Sequence, residues 1–166
     1  MTRASETRGP SRATRLGRSG IVFERFDEDA LRAVLASQEA ARELRAPQIG
    51  SEHLLVGLVS EEWFASTQVL TMLGVMSSEI REAIGLPAPI EDRHRAGPHI
   101  PLDRSVKQTI ERSSKEARAL RADRIGTEHL LLALRRLGKD GARVLTERCV
   151  SHAATLAAVT ERQTGP

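Results

Sequence analysis

Aromatic side chains are almost missing from this chain: there is no tyrosine, and one tryptophan and three phenylalanines bring the aromatic share to 2%. Aliphatic residues and alanine must therefore fill any core. Long runs of Val, Ile, Thr and aromatics, which suit a pleated and half-buried surface, are also missing, and this disfavours a β-sheet. No apolar run approaches the roughly 20 residues needed to cross a bilayer, and the N-terminus lacks the apolar centre of a secretory signal. The single cysteine, Cys149, excludes an internal disulfide and fits a reducing compartment, so a cytoplasmic location is expected. Its simplest reading is a small buried apolar side chain on a late helix.

Catalytic patterns are missing too. A phosphate-binding P-loop needs a glycine-rich turn ending in Gly-Lys-Ser/Thr at the start of a helix. Gly138-Lys139 is followed by Asp140 and has Ala133 where the first glycine belongs. There is no HExxH, no paired-cysteine metal site and no Gly-x-Ser-x-Gly elbow. His94 and His99 flank a proline-rich stretch without a third ligand in spacing. The expectation is a binding module that uses no cofactor or metal, not an enzyme.

What is present is a duplication. Residues Phe26 to Leu58 align with Leu102 to Leu134 at an offset of 76, so that Asp27 meets Asp103 and Leu44-Arg45-Ala46 meets Leu120-Arg121-Ala122. The densest match sets Ile49-Gly50-Ser51-Glu52-His53-Leu54-Leu55 against Ile125-Gly126-Thr127-Glu128-His129-Leu130-Leu131. A tandem repeat fixes the architecture and the symmetry of any site. At 166 residues the chain suits one domain or two intimate halves.

The charge divides unevenly. Residues 1–20 hold Arg3, Arg8, Arg12, Arg15 and Arg18 against Glu6, a net of +4, so the remainder of a chain with net charge +3 sums to −1. The basic pI comes from this segment, which is too poor in apolar residues to fold alone and reads as a disordered tail. Polyanion contact or organelle targeting are its other readings.

Within each unit the spacing predicts a long helix with one apolar face, through Ala30, Val34, Ser37, Ala41 and Leu44, and through Val106, Ile110, Ser113, Ala117 and Leu120. Pro47, Gly50 and Gly126 lie in the connections that follow. Ser51 and Thr127 stand where an N-cap hydroxyl belongs, so each is expected to start a second helix. Two shorter helices are expected in each unit, over 66–73 and 77–84, then 141–149 and 151–160. Residues 86–101, with four prolines, read as a linker between repeat one (22–85) and repeat two (102–160). Neither half can bury its apolar face alone, so both are expected in one bundle.

The two IG(S/T)EHLL segments, the Phe23-Glu24-Arg25-Phe26 lead-in and the His99-Ile100-Pro101 lead-in resemble the N-terminal domain of Clp unfoldases, in particular the ClpC type. The resemblance covers residues 22–160. It implies an all-α bundle of eight helices with pseudo-twofold symmetry, here free-standing and without the ATPase modules. It implies a role in recruiting substrates or adaptors to a Clp unfoldase or protease, as adaptor or as ligand-sequestering decoy. It also implies that Glu52 and Glu128, with Ser51 and Thr127, hold the guanidinium of phosphorylated arginine. A carboxylate forks onto a guanidinium, and a helix N-terminus favours the phosphoryl group. The bland reading of the same residues is local, with an acid in the first turn favoured by the helix dipole and His53 and His129 bonding nearby.

This chain departs from the ClpC pattern in places. ClpC domains commonly carry phenylalanine after His-Ile-Pro, where with the lead-in phenylalanine it forms an apolar patch for partners and cyclic peptides. Here the pair is Phe23 and Leu102. Pro47-Gln48 and Asp123-Arg124 replace Asn-containing turns, and Arg124 reads either as a phosphate contact or as a plug in the pocket. The alternatives are a plastid-type Clp accessory protein docked on the proteolytic core, with the tail as transit peptide, and nucleic-acid binding through the tail. Nucleic acid is the less expected partner, because the body offers no basic, aromatic-interleaved face. No membrane association is expected.

Overall fold

A computed structural model describes residues 23–87 and 97–165. The basic segment 1–20, the middle of the 86–101 linker and His94 lie outside the described residues. After a 3₁₀ turn at Phe23–Arg25 come α1 (Glu28–Glu43), α2 (Ser51–Leu58), α3 (Ala65–Met72) and α4 (Ser77–Ile84). The second repeat supplies α5 (Arg104–Ala119), α6 (Thr127–Leu137), α7 (Asp140–Glu147) and α8 (His152–Thr164). Among the described residues the fold is all-α, with eight α-helices and two isolated bridges in place of a sheet.

The duplication in sequence becomes a duplication of local devices. Asp27 caps α1 by accepting from the Ala30 N–H at 2.8 Å, and Asp103 caps α5 by accepting from the Val106 N–H at 2.8 Å. Both long helices end on a left-handed arginine, Arg45 (φ 53°) and Arg121 (φ 55°). The next N–H then reaches back five residues, from Ala46 to Ala41 and from Ala122 to Ala117, which satisfies a carbonyl that the helix end would orphan.

The buried face of α1 is wider than the spacing predicts. Ala30, Ser37 and Ala41 are buried as expected, but Ala33 and Ala40 are buried as well, while Leu44 is 36% exposed and Val34 only partly covered. The reason is that α1 packs against both α2 and α6, so two neighbouring stripes are covered. In α5, Thr109 and Glu116 join Val106, Ile110, Ser113 and Ala117 inside.

The halves form one body. The main core cluster draws fourteen buried side chains from each repeat. Across the pseudo-twofold, Asp27 N–H donates to the Ile125 carbonyl (3.0 Å) and Ile125 N–H to the Arg25 carbonyl (2.8 Å). The equivalent junction has Ile49 N–H donating to Pro101 (2.8 Å) and Asp103 N–H donating to Ile49 (3.0 Å). Each lead-in is therefore held by the turn before the second helix of the other repeat.

Two features break the symmetry. Glu116 is buried and accepts from Arg112 Nε (3.0 Å) and Arg136 Nε (2.8 Å), with His152 Nε2 at 4.0 Å. Its equivalent in repeat one is Ala40, which packs with Val56 and Leu86 in a small apolar cluster. Cys149 is exposed, contrary to its reading as a buried side chain, because it sits just past α7 at φ 59° in the left-handed turn that Gly74 makes after α3.

Candidate ligand-binding site

The strongest match between the repeats builds two equivalent loci at the starts of α2 and α6. The N-cap residues are Gly50 and Gly126 in extended conformation, which places Ser51 and Thr127 at the first helical position instead of at the cap. Both are 1% exposed. Ser51 Oγ accepts from the Gly141 N–H at 3.0 Å, and Thr127 Oγ1 accepts from the Ser66 N–H at 3.2 Å. Each hydroxyl thus caps the third helix of the opposite repeat, α7 or α3. This corrects the expectation that Ser51 and Thr127 cap their own helices.

His53 and His129 close the cap from the other side. Nδ1 of His53 accepts from the Gly50 N–H (2.8 Å), and Nδ1 of His129 from the Gly126 N–H (2.9 Å). An accepting Nδ1 assigns the proton of the neutral ring to Nε2. Burial pushes both imidazoles below their ordinary range, against the opposing pull of Glu52 and Glu128. The local reading of these histidines is therefore the structural one.

The two glutamates remain open. The Glu52 side chain is 34% exposed and that of Glu128 16%. Both fold back over the N-cap glycines: a β-carbon at Gly50 would lie 2.6 Å from both Glu52 oxygens, and one at Gly126 would lie 2.4 Å from Glu128 Oε2. Glycine is required there to let the carboxylate approach the helix start. The same point at Gly126 is 3.0 Å from Asp27 Oδ2, so two carboxylates from different repeats face each other. Burial and then the nearby Glu128 push the Asp27 carboxyl above its ordinary range. Asp103 is the counterpart in the other locus, where its charge acts on His53. Among the described residues no lysine or arginine forms an ion pair with Asp27, Glu52, Asp103 or Glu128. Asp27 and Asp103 were not among the expected site residues, although their place in the duplication was a signal for them.

Arg124 donates from Nη1 to the Phe26 carbonyl at 3.1 Å, so it ties down the lead-in, and it forms no ion pair with Asp27 or Glu128 among the described residues. Phe23 stacks edge-on against Phe26 with centroids 5.2 Å apart, and Leu102 bridges Ile49 at the other junction. Both pack against the core and are only partly covered. The strongly exposed large apolar residues are elsewhere: Leu31, Leu35, Leu44, Trp63, Met72 and Met76, all in the first repeat. No group of three His, Cys, Asp or Glu residues is placed to hold a metal among the described residues, and none of their helices is long and apolar enough to cross a membrane.

A duplicated helical body in which each lead-in is held by a turn of the other repeat defines the class of fold. Residues 25–148 match the Clp repeat (R) N-terminal domain, and the chain belongs to that family. It is 36% identical over 143 residues to the chaperone protein ClpC1, chloroplastic, of Oryza sativa subsp. japonica, covering 81% of this chain and 15% of that protein. It is 37% identical over 129 residues to an ATP-dependent Clp protease ATP-binding subunit ClpA homolog of Guillardia theta, covering 75% and 15%. The chain thus spans about a seventh of the length of these relatives. The N-terminal domain of the chaperone ClpD from Arabidopsis thaliana superposes with a TM-score of 0.65 at 26% identity, covering 89% of this chain and all of that one. The N-domain of ClpV in complex with a VipB peptide shares the fold at a TM-score of 0.60 and 14% identity, covering 82% and 89%. Domains of this family are substrate- and adaptor-binding modules, not catalytic ones.

Proposed function

We propose that this chain binds protein or peptide ligands for a Clp unfoldase or protease, and that a guanidinium group is what its acidic loci recognise. The observation that carries the reading is the pair of carboxylates at Glu52 and Glu128, each held over a helix N-terminus with a second carboxylate nearby and no ion-paired cation. Two carboxylates favour a planar cation, and free N–H groups at a helix start favour an attached anion, which together suit phosphorylated arginine. Arg124, which spends one N–H on the Phe26 carbonyl, has others to offer such a phosphoryl oxygen. The peptide held by a ClpV N-domain of the same fold supports peptide binding by this architecture. With such ligands the chain acts as an adaptor or as a decoy that withholds them from the unfoldase.

Calorimetry with a phosphoarginine peptide and its unmodified arginine twin tests the reading. A charge-assisted contact contributes roughly 1.5–3 kcal/mol, so Glu52→Ala or Glu128→Ala should weaken binding at its own locus by about one to two decades. The double variant should abolish binding with helicity intact. Equal affinity in wild type and double variant removes these residues from the site.

A further inference from the structure

The pseudo-twofold is broken most strongly in charge. Residues 23–87 carry eleven carboxylates and five arginines, a net of −6, whereas residues 97–165 carry thirteen cations and eight carboxylates, a net of +5. The outer faces of the two long helices differ accordingly. On α1 a stripe of Glu28, Leu31, Arg32 and Leu35 is exposed, Leu31 by 40% and Leu35 by 65%, and it runs on to the half-buried Glu39, whose Oε1 already pairs with Arg42. On α5 the equivalent stripe is Arg104, Lys107, Glu111 and Lys115, all exposed. None of these four has an ion-pair partner among the described residues.

We propose that a second copy of this chain docks its α5 antiparallel on α1. Glu28, Arg32 and Glu39 are separated by 4 and 7 residues; Lys115, Glu111 and Arg104, taken in the opposite direction, show the same separations with every sign reversed. Equal spacing along two helices means equal rise, so the three pairs come into register together. In that register Leu35 lies opposite Gln108 and beside the aliphatic stem of Lys107, which covers apolar surface while its ammonium stays wet. The Glu28–Arg32 pair does not stand in the way. It is exposed on both sides, 77% and 51%, and an exposed pair exchanges partners at little cost, while the half-buried Glu39 keeps Arg42 on Oε1 and meets Arg104 through Oε2.

A nucleic acid is the poorer occupant of α5. Glu111 interrupts its cations at the centre of the stripe, where a polyanion meets a like charge and a second copy offers Arg32, and α5 has no aromatic side chain on which a base could stack. Because the two faces differ, the contact is head-to-tail. Two 16-residue helices are about 24 Å long. They bury too little for an obligate interface, so the association is weak and sensitive to salt. This inference stands apart from the guanidinium reading, since none of its residues lies in the acidic loci.

Sedimentation velocity of the full chain over a range of concentrations tests it. The weight-average coefficient should rise with concentration at low salt and stay at the monomer value at about 1 M salt, where the Debye length is roughly 3 Å. Two sign-reversed variants, R104E/E111R/K115E and E28K/R32E/E39R, should each be monomeric with wild-type circular dichroism, and their equimolar mixture should associate again. Leu35→Ser, at an exposed site, should weaken association without any change of charge. A wild type that stays monomeric at low salt overturns the proposal, as does association that survives both reversals or a mixture of folded variants that stays monomeric. A monomeric chain whose α5 binds a DNA duplex, with loss of that binding in R104E/E111R/K115E, assigns the face to nucleic acid and overturns it equally.

Discussion

Gly57 offers the sharpest test of how the long and short helices fit. It lies on α2 opposite α1, and a β-carbon there would sit 2.1 Å from the Ala33 carbonyl oxygen and 2.9 Å from the Ser37 nitrogen, against 3.4–4 Å for ordinary contact. Both atoms belong to the α1 backbone, so no rotamer change relieves the clash and the helices must part. Intrinsic propensity argues the other way, since alanine in a helix interior is favoured over glycine by about 1 kcal/mol. Overpacking a filled core costs about 1–3 kcal/mol, and a rigid backbone partner places Gly57→Ala at the upper end. The net expectation is a loss of about 2 kcal/mol, or roughly 4–8 °C in the thermal midpoint for a chain of this size. The equivalent position in repeat two is Ala133, which is buried and already accommodates a β-carbon. Ala133→Gly should therefore lose only about the 1 kcal/mol of propensity. Thermal and urea denaturation of both variants would decide the matter. A Gly57→Ala protein as stable as wild type, or more so, refutes the close approach of α1 and α2.

Other expectations follow from the broken symmetry and from the buried ionisable groups. Cys149→Gly should raise stability by about 1 kcal/mol in urea unfolding, because it relieves a left-handed residue that is not glycine at a position where the side chain is exposed; an unchanged midpoint argues against the strained turn. Glu116→Ala should cost about 1–3 kcal/mol, with Arg112 and Arg136 partly rehydrated because both reach solvent; a neutral outcome would show the cluster to be dispensable. His53, His129 and His152 have folded-state pKa values below the ordinary 6.5, so the unfolded chain binds more protons as pH falls from there. Their contribution is present above pH 6.5 and is lost on acidification toward the folded values, so the urea midpoint should drop between about pH 7.5 and 5.5; a midpoint that rises over that interval reverses the sign of the argument.

Helix boundaries were legible in sequence where their signals are local. Asp27 and Asp103 start α1 and α5, and α4 occupies the expected 77–84. The second helices start at Ser51 and Thr127 as expected, but for a different reason: glycine is the cap, and the hydroxyls serve elsewhere. Cys149 was misjudged because its surroundings look like a helix end with apolar neighbours, while only the backbone shows that the residue itself adopts positive φ. Phe23 and Leu102, expected as an apolar patch, are partly covered at the cross-repeat junctions, and further apolar surface is exposed at Leu31, Leu35, Trp63, Met72 and Met76, which no local pattern marks.

By itself the sequence determined the family, the doubling, and the succession of helices within each repeat, because caps, left-handed stops and apolar periodicity act over three to five residues and are written twice. Tertiary structure alone decided which groups meet. Ser51 reaches Gly141 across 90 residues and Thr127 reaches Ser66 across 61, so no local pattern encodes either cap. The same crossing brings Asp27 of one repeat against Glu128 of the other and makes a candidate site from two carboxylates that lie on separate helices. Packing the repeats together buries most of the apolar residues they share, and the differences in apolar exposure fall on the outside, at Leu31, Leu35, Trp63, Met72 and Met76 of the first repeat.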